Sequence, residues 1–318
     1  MTEGGYDLAG RRVWVAGHRG MVGAAIVRRL AETGCTVVTV GRDRVDLRRQ
    51  EPVERWMASA RPQAVVLAAA TVGGILANDT RPADFLYDNL AIAQNVIDAS
   101  WRTGVEKLLF LGSTCIYPRL APVPTPESAL LTGPLEPTNE WYAIAKIAGI
   151  KLCQAYRRQH GCDFISAMPT NLYGPGDNFD LEGSHVIPAL IRKIDAAKRA
   201  GGPVEIWGSG TPTREFLHVD DCADACIHLL ERYSDAPHVN VGSGEEISIR
   251  AVAERIARAV GYDGAFRFDP TKPDGAPRRL LDVSVLKGLG WRPRIALDDG
   301  IAEAYRWFLD HAQTRRGG

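Results

Sequence analysis

Short β-branched runs alternate with longer amphipathic stretches through the first half of the chain. The short runs have the length and composition of buried strands, and the longer stretches place apolar residues at helical spacing. Strands that alternate with helices form βαβ units, so the pattern predicts a parallel sheet that is covered on both faces. The predicted elements are strand 13–16, helix 21–33, strand 36–40, helix 48–60, strand 64–68, helix 82–103, strand 107–111, helix 141–160 and strand 163–167.

The pattern becomes less regular after residue 168. Residues 169–183 are rich in turn-forming residues, and Ser184 is a candidate N-cap for a helix with apolar residues at helical spacing. The remaining predicted elements are strands 205–207 and 238–241 and helices 248–260 and 298–310.

Together these elements predict an α/β fold, a Rossmann-type doubly wound parallel sheet with a smaller α/β C-terminal substrate domain. We expect the two domains to interleave in sequence. The larger domain is assigned residues 1–172 and 215–261, and the smaller domain residues 173–214 and 262–318.

The charge balance narrows the classes of function. The chain has 318 residues, and 38 Lys and Arg residues balance 38 Asp and Glu residues. No net positive field is available for neutralising phosphates, so we expect neither a nucleic acid nor a membrane surface as a partner. The longest apolar stretch, residues 64–77, contains glycines and is too short to span a bilayer.

Cysteine spacing and the first residues predict the compartment. Residues 1–10 are polar and glycine-rich and lack the features of a signal peptide. The six cysteines show no C-x-x-C spacing, which is typical of reduced thiols in a cytoplasmic protein. We therefore expect a cytoplasmic protein without a metal site.

A glycine-rich loop follows the first predicted strand and opens a helix. Its glycines, Gly17, Gly20 and Gly23, have the spacing G-x-x-G-x-x-G. Such glycines allow a tight turn, the approach of a pyrophosphate to backbone N–H groups, and close packing of helix on strand. The loop therefore predicts a dinucleotide site formed by Gly17, His18, Arg19, Gly20, Met21, Val22 and Gly23.

The end of the second predicted strand bears on the choice of dinucleotide. Val40-Gly41-Arg42 carries a base where an acid would bind the ribose hydroxyls of NAD. Arg42 and Arg19 could instead hold a 2′-phosphate through charge-assisted contacts, which favours NADP(H). The alternative is that Arg42 is solvated and Asp43 binds the ribose.

A candidate catalytic pair lies on the predicted helix 141–160. Tyr142 and Lys146 form a Y-x-x-x-K motif, so both side chains lie on one face of the helix. We expect the lysine ammonium to lower the pKa of the tyrosine and to suit it for proton transfer. Ser113 follows the fourth strand, at the edge where doubly wound sheets bind ligands.

Longer stretches of the sequence carry a resemblance to known enzymes. They are A-G-H-R-G-M-V-G (16–23), L-G-S-T-C-I-Y-P (111–118), Y-A-I-A-K-I-A-G-I-K (142–151), M-P-T-N-L-Y-G-P (168–175), S-H-V-I-P-A-L (184–190), W-G-S-G-T-P (207–212), E-F-L-H-V-D-D (215–221) and K-P-D-G (272–275). With the tyrosine, lysine and serine, they resemble the extended branch of the short-chain dehydrogenase/reductase superfamily. Within that branch the chain is similar to the GDP-L-fucose synthase family over nearly its whole length.

This resemblance implies an activity. Family members use NADPH to convert GDP-4-keto-6-deoxy-D-mannose to GDP-L-fucose, by epimerisation at C3 and C5 and then reduction of the C4 ketone. They are typically homodimers, so we expect a second copy of the chain as a partner. The larger domain would bind NADP, and the smaller one would bind the nucleotide-sugar. Two alternatives stay open: an epimerase or 4-reductase that acts on a different nucleotide-sugar, and a non-catalytic NADP-binding sensor protein.

The resemblance also assigns catalytic roles. It implies that Cys115 is the base and His185 the acid of the epimerisation, while Tyr142 and Ser113 bind the C4 oxygen. A thiolate suits this role if positive neighbours lower its pKa, and an imidazole that titrates near neutrality suits proton donation. The alternatives are a core thiol for Cys115 and a structural histidine at a helix start for His185.

The binding residues complete the predicted site. The substrate residues implied by the resemblance are Lys193, Trp207, Arg214, Asp274 and Arg279, although Asp274 could equally be a turn residue. Further residues assigned to the cofactor are Asp46, Leu47, Ala69, Pro169, Asn171 and Leu172, with Lys146. Asn171 also has a structural interpretation, as does His218. The chain departs from the family at two positions. Thr71 stands where close members have lysine, and Trp141 stands where they often have proline.

Overall fold

The computed structural model describes residues 5–180, 184–271 and 275–312. The strands are β1 Arg12–Ala16, β2 Thr36–Val38, β3 Ala64–Leu67, β4 Lys107–Leu111, β5 Asp163–Pro169, β6 Asn171–Tyr173, β7 Val204–Trp207, β8 Thr213–His218, β9 Val239–Val241, β10 Glu246–Ser248, β11 Phe266–Asp269 and β12 Arg278–Arg279. The helices are α1 Met21–Leu30, α2 Gln50–Ala60, α3 Ile75–Thr80, α4 Pro82–Arg102, α5 Glu140–His160, α6 Val186–Ala200, α7 Val219–Arg232, α8 Ile249–Val260, α9 Ser284–Gly288 and α10 Leu297–Ala312.

The central sheet is parallel throughout, with the strand order β2-β1-β3-β4-β5-β9. Its inner strands are apolar and buried, because helices cover both faces. Helices α1 and α7 pack on one face, and α2, α4 and α5 pack on the other. The strand order reverses between β1 and β3, which places a ligand crevice at their carboxyl ends. The predicted doubly wound α/β fold is confirmed.

The smaller unit is built around β8. This strand pairs with β6, β10 and β12, while β7 and β11 form a separate parallel pair. Helices α6, α8 and α10 surround a third apolar core there. The chain passes from β5 in the central sheet to β6 in the smaller unit across one residue, Thr170.

The domain boundaries remain a prediction, but β8, β10 and α8 fall within the range assigned to the larger domain and pack in the smaller unit. Helix α8 falls within the range assigned to the larger domain, yet its buried residues Val252, Ile256 and Val260 lie in the core of the smaller unit. The helix has one apolar stripe, and α6 and α10 cover that stripe rather than the central sheet.

The sequence pattern missed the shortest elements. Strand β2 ends at Val38 rather than at residue 40, because the chain turns from residue 41 onwards. Strands β6, β10 and β12 have two or three residues, too few to produce a period. Elements β8, β11, α3, α7 and α9 were also not predicted. Among the described residues no helix combines the length and apolarity needed to cross a bilayer.

Candidate active site

The glycine loop lies between β1 and α1, at the carboxyl edge of the sheet. Gly17 has a φ of +94°, and a Cβ there would lie 2.6 Å from the backbone nitrogen of Ala69. A Cβ on Gly23 would overlap the carbonyl oxygen of Gly17, so this glycine allows α1 to pack against the loop. At Gly20 the nearest atom to a Cβ would be 3.5 Å away. Two glycines are therefore required by the loop itself, and the third leaves space for a ligand.

The start of α1 suits an anion. Gly20 is the N-cap, with extended backbone, and no side chain caps this helix. The amides of Met21 and Val22, in the first turn, have no acceptor within the helix. Backbone N–H groups and the helix dipole together bind a pyrophosphate at such a terminus, so the loop fits a dinucleotide.

Two arginines predicted to bind a 2′-phosphate lie near the carboxyl edge of the sheet, Arg19 in the glycine loop and Arg42 after β2. Arg19 and Asp43 form an exposed ion pair, with 3.1 Å between Nη1 and Oδ1. The neighbouring Arg42 is exposed. A phosphate between the two guanidinium groups would form charge-assisted bonds, and the carboxylate of Asp43 already has a partner in Arg19. The arrangement fits NADP better than the alternative in which Asp43 binds a ribose.

Asp46 belongs to a charged network that the sequence did not predict. Arg48 donates hydrogen bonds to the carboxylates of Asp46 and Asp88, and the hydroxyl of Thr71 donates to Asp88. The hydrogen bonds from Arg48 hold the pKa of Asp46 at about 2. Asp46 is therefore an acceptor at neutral pH. Leu47 lies beside it, and its carbonyl oxygen accepts a hydrogen bond from Asn95.

The predicted catalytic group assembles at the end of β4. Ser113 lies two residues after the strand, and Cys115 lies in the 3₁₀ turn Thr114–Ile116. The ammonium of Lys146 lies 5.6 Å from the centre of the Tyr142 ring and donates a 2.8 Å hydrogen bond to the carbonyl oxygen of Leu111. Hydrogen bonding from Ser113 acts on both Cys115 and Tyr142. These side chains can therefore act on one substrate.

The predicted lowering of the Tyr142 pKa is wrong. Burial raises the pKa of Tyr142 far above its ordinary value of 10.0, and negative charge on Cys115 raises it further. The hydrogen bond with Ser113 opposes this shift. Burial also lowers the pKa of Lys146 to about 8. The spacing of the two residues was right, but burial shifts the pKa of each towards its neutral form.

Cys115 shows the same competition. Burial raises the pKa of its thiol to about 11, while the hydrogen bond with Ser113 and the positive charges of Lys146 and Arg279 lower it. The positive neighbours expected for a catalytic thiol are present, but they do not outweigh the effect of burial.

His185 is the N-cap residue of α6, and its side chain keeps exposed surface. The surrounding protein lowers the pKa of the imidazole through partial desolvation. Within the described residues it makes no hydrogen bond to Ser113, Cys115 or Tyr142. The structure therefore does not join His185 to the catalytic group, and its role stays a prediction.

The other residues predicted to bind the cofactor lie at or after the carboxyl ends of β3 and β5. Ala69 follows β3 and touches the glycine loop at Gly17. Pro169 ends β5, while Asn171 and Leu172 lie in β6. The amide of Asn171 donates to the backbone oxygen of Glu215, which is a structural contact.

The predicted substrate residues fall on the smaller unit. The ammonium of Lys193 lies 5.3 Å from the centre of the Trp207 ring, whose side chain is 61% exposed. Arg214 and Arg279 are directly paired neighbours on β8 and β12. Like charges placed side by side repel each other, so the pair suits an anion such as a diphosphate. Asp274 lies outside the described residues.

A possible metal-ligand group lies away from this site. His218, Asp220 and Glu303 place one potential ligand atom each within 4.8 Å of one another. However, Nδ1 of His218 accepts the amide hydrogen of Asp220, so the proton of the neutral ring is on Nε2, 3.6 Å from Glu303. A protonated nitrogen cannot ligate a metal, and the group is better described as a histidine–carboxylate contact that fits the structural interpretation of His218.

Residues 13–242 match the NAD dependent epimerase/dehydratase family. The match covers the glycine loop, the central sheet and the tyrosine–lysine pair. The chain belongs to this family. The finding confirms the resemblance drawn from the motifs.

Within the family, relatives match the chain over nearly its full length. It is 60% identical to a GDP-L-fucose synthase of Sinorhizobium fredii, covering 96% of this chain and 98% of that protein. It is 58% identical to GDP-L-fucose synthase 1 of Arabidopsis thaliana, covering 96% and 95%. A solved GDP-L-fucose synthetase from Naegleria fowleri, bound to NADP, superposes with a TM-score of 0.91 at 28% identity, covering 98% of each chain.

Proposed function

We propose that the protein is an NADP-dependent oxidoreductase and epimerase, which converts GDP-4-keto-6-deoxy-D-mannose to GDP-L-fucose. The observation that carries the proposal is the grouping of Ser113, Cys115, Tyr142 and Lys146 at the end of β4, with Arg279 close enough to act on the thiol. A reductase alone needs no thiol base, and relatives of the same name match over almost the whole chain.

The carboxyl edge of the sheet would bind the cofactor. The loop from Gly17 to Gly23 would hold the pyrophosphate, and Arg19 and Arg42 the 2′-phosphate. Asp46 is supported as a hydrogen-bond acceptor by its low pKa. Bound NADPH supplies the hydride that reduces the C4 ketone. Ala69, Pro169 and Leu172 would form the wall of the site.

Epimerisation would come first. The C4 ketone makes the protons at C3 and C5 acidic, and hydrogen bonds from Tyr142 and Ser113 to the C4 oxygen would stabilise the enolate. Cys115, as thiolate, would remove these protons, and Lys146 and Arg279 favour the thiolate. His185 would return a proton from the opposite side of the sugar.

Reduction of the C4 ketone would follow in the same site. Tyr142 would give its phenolic proton to the C4 oxygen as the alcohol forms. Its raised pKa keeps it protonated at neutral pH, as a proton donor requires. Lys146 anchors this part of α5 to β4 and would balance the charge that develops on the tyrosine.

The smaller unit would bind the nucleotide diphosphate. Arg214 and Arg279 would hold the phosphates, and Lys193 with Trp207 would add a cation and an exposed aromatic face. Asp274 would bind the ribose. The proposed division is an NADP-binding domain of residues 1–172 and 215–261 and a sugar-binding domain of residues 173–214 and 262–318, although β8, β10 and α8 pack with the second.

The test is turnover of the purified protein with GDP-4-keto-6-deoxy-D-mannose and NADPH. We expect loss of NADPH absorbance and a product whose NMR spectrum is that of GDP-L-fucose. A product reduced at C4 but not epimerised would support a plain 4-reductase. If a sugar linked to another nucleoside diphosphate is the better substrate, the result would support the alternative epimerase or 4-reductase that acts on a different nucleotide-sugar. NADPH binding without turnover of any such sugar would support the sensor.

The proposal extends to a homodimer in the cytoplasm. Helices α4 and α5 pack together and expose the large apolar side chains of Tyr87, Trp101 and Ile144, which a second copy could cover. Light scattering should give a molar mass twice that of the chain, and Trp101→Glu should lower this mass to that of the monomer. The free cysteines and the use of NADPH favour the cytoplasm. A fluorescent fusion would show the compartment in which the protein resides.

A further inference from the structure

A fully buried carboxylate lies beside the site, and the proposed reaction does not use it. Glu215 of β8 has no exposed surface. Its Oε1 accepts the amide hydrogen of Gly244 at 2.7 Å, and its Oε2 accepts that of Leu281 at 3.0 Å. Burial raises its pKa, and these two amide donors oppose the shift. Burying such a group is costly, so its partners indicate what it does.

One partner belongs to the segment that carries Arg279. Leu281 lies two residues after this arginine, and the backbone of Thr125 holds both sides of it, donating to the oxygen of Leu280 and accepting from Asp282. The Glu215 carboxylate therefore completes a set of hydrogen bonds along residues 280–282. Arg279 itself lies in β12, which pairs with β8, and the hydrogen bonds to Glu215 and Thr125 fix the residues that follow this short strand.

The carboxylate and the arginine meet at one small cavity. A space of about 30 Å³ is lined by Glu215, Arg279, Thr114 and Asn171, among others. Thr114 is the neighbour of Cys115 in the 3₁₀ turn. The thiol turn, the arginine and the buried carboxylate thus border the same space.

We propose that Glu215 is a positioning residue, whose carboxylate fixes residues 279–281 and thereby holds the guanidinium of Arg279 beside the thiol of Cys115. The inference deepens the proposed function, because it concerns the base of the epimerisation. Glu215 does not contact substrate. It acts through Arg279, whose positive charge favours the thiolate.

A positioning role and a purely electrostatic role of Glu215 predict opposite changes in the pKa of the Cys115 thiol. Removing a negative charge near a thiol lowers the pKa of the thiol. If Glu215 instead holds Arg279 in place, Glu215→Gln releases the arginine and raises the pKa of Cys115. The two explanations therefore give opposite changes in thiol reactivity.

The experiment measures alkylation of Cys115 by iodoacetamide against pH, with the full chain and no substrate, and locates the label by peptide mass spectrometry. We expect Glu215→Gln to slow the reaction at about pH 8 by roughly threefold or more and to move the profile to higher pH. Glu246→Gln is the matched control, because Glu246 bonds the adjacent Arg278 on the surface. It should leave the profile unchanged. An unchanged or faster reaction in Glu215→Gln overturns the proposal.

Two further variants keep the test decisive. In an Arg279→Gln background, Glu215→Gln should add no further slowing, because the arginine through which it acts is absent. Additive slowing would contradict the proposal. Glu215→Asp keeps the charge but is too short to reach both amides, so it should slow alkylation in the same direction even if the glutamine variant does not fold. A wild-type profile for Glu215→Asp would also overturn it.

The thiol measurement needs neither cofactor nor sugar. If the protein fails to convert the GDP-keto-sugar but the alkylation results hold, the proposed function fails and the positioning role stands. If turnover is found and the alkylation profile does not change, only the positioning role fails.

Discussion

The ammonium of Lys146 donates a 2.8 Å hydrogen bond to the carbonyl oxygen of Leu111. Leu111 is the last residue of β4, so this bond fastens α5 to the edge of the sheet where the catalytic group lies. The lysine is 4% exposed, and burial lowers its pKa from 10.5 to about 8. A buried cation at this position costs stability, and its retention fits a role in the reaction.

We expect Lys146→Met to make the ligand-free protein more stable at neutral pH and to lower kcat by about 100-fold or more. The lowered pKa corresponds to a cost of about 3 kcal/mol for the charged form, and the lost hydrogen bond and imperfect packing offset about 2 kcal/mol of it. The expected gain is about 1 kcal/mol, measured by urea unfolding.

The same variant has a defined pH dependence. Between about pH 8 and 10.5 the unfolded wild type binds a proton at Lys146 that the folded protein does not, so wild-type stability rises with pH in this window. The advantage of Lys146→Met should therefore shrink above pH 8. Lys151→Met, an exposed change on the same helix, should alter neither property. A less stable Lys146→Met whose deficit is independent of pH would contradict the desolvation argument.

Tyr142→Phe should lower kcat for NADPH oxidation by about 10²–10⁴-fold, because the proton donor to the C4 oxygen is lost. The variant should fold normally and bind NADPH, as measured by fluorescence titration. Tyr156→Phe on the same helix is the control. Its hydroxyl bonds Asp98, away from the site, so it should lose about 1 kcal/mol of stability and keep kcat. Equal activities of the two variants would remove Tyr142 from the mechanism.

Cys115→Ser should separate the two steps of the reaction. Exchange of the C3 and C5 protons with deuterated water should fall by at least about 100-fold, while slow reduction of the unepimerised ketone persists. In the wild type the thiol has a pKa of about 11, so exchange should rise with pH through neutrality. Cys162→Ser, just beyond the C-terminal end of α5, should exchange normally. Loss of reduction without loss of exchange would assign the base elsewhere.

Two glycine substitutions in one loop should have different effects. Gly17→Ala places a Cβ 2.6 Å from the backbone of Ala69 at a φ of +94°, so we expect about 2 kcal/mol or more of destabilisation. Gly20→Ala meets nothing closer than 3.5 Å, so it should fold normally and weaken NADPH binding, because the methyl group occupies the space of the phosphates. Calorimetry and cofactor titration measure the two effects. Normal cofactor affinity in Gly20→Ala would move the phosphates away from this loop.

Arg42→Ala should lower the ratio of kcat/KM for NADPH over NADH by about tenfold or more, through loss of a contact to the 2′-phosphate. Activity with NADH should change little. Asp43→Asn releases Arg19 from its ion pair, so it should keep or raise the preference for NADPH. A fall in activity with both cofactors for Arg42→Ala, or a gain with NADH for Asp43→Asn, would be inconsistent with this arrangement.

The sequence predicted the parts of the structure that follow regular patterns. Strand β3 is a run of four buried apolar residues, and α1 begins where the glycine loop ends. Strand β8 was not predicted, because its sequence Thr-Arg-Glu-Phe-Leu-His mixes charged and apolar residues. Glu215 is buried there only because Gly244 and Leu281, distant in sequence, supply its hydrogen bonds.

Spacing predicted which catalytic side chains meet, but not their protonation. The motif placed Tyr142 and Lys146 on one face of α5, as the structure has them. Their pKa values depend on how deeply the surrounding elements bury them, and no local pattern contains that information. The network of Arg48 with Asp46 and Asp88 was missed for a similar reason, since Asp88 comes from a helix forty residues away.

Thr170 is the one residue that separates β5 of the central sheet from β6 of the smaller unit. The chain returns to the central sheet at α7 and to the smaller unit at β10. Helix α9 then packs against β9 of the central sheet, and α10 packs in the smaller unit. No single cut divides the molecule into two continuous halves, each with its own complete core. Neither unit can be expressed as a simple fragment, and heating should unfold both in one cooperative transition. Truncation of the chain should therefore disrupt the proposed NADP site and the proposed nucleotide-sugar site together.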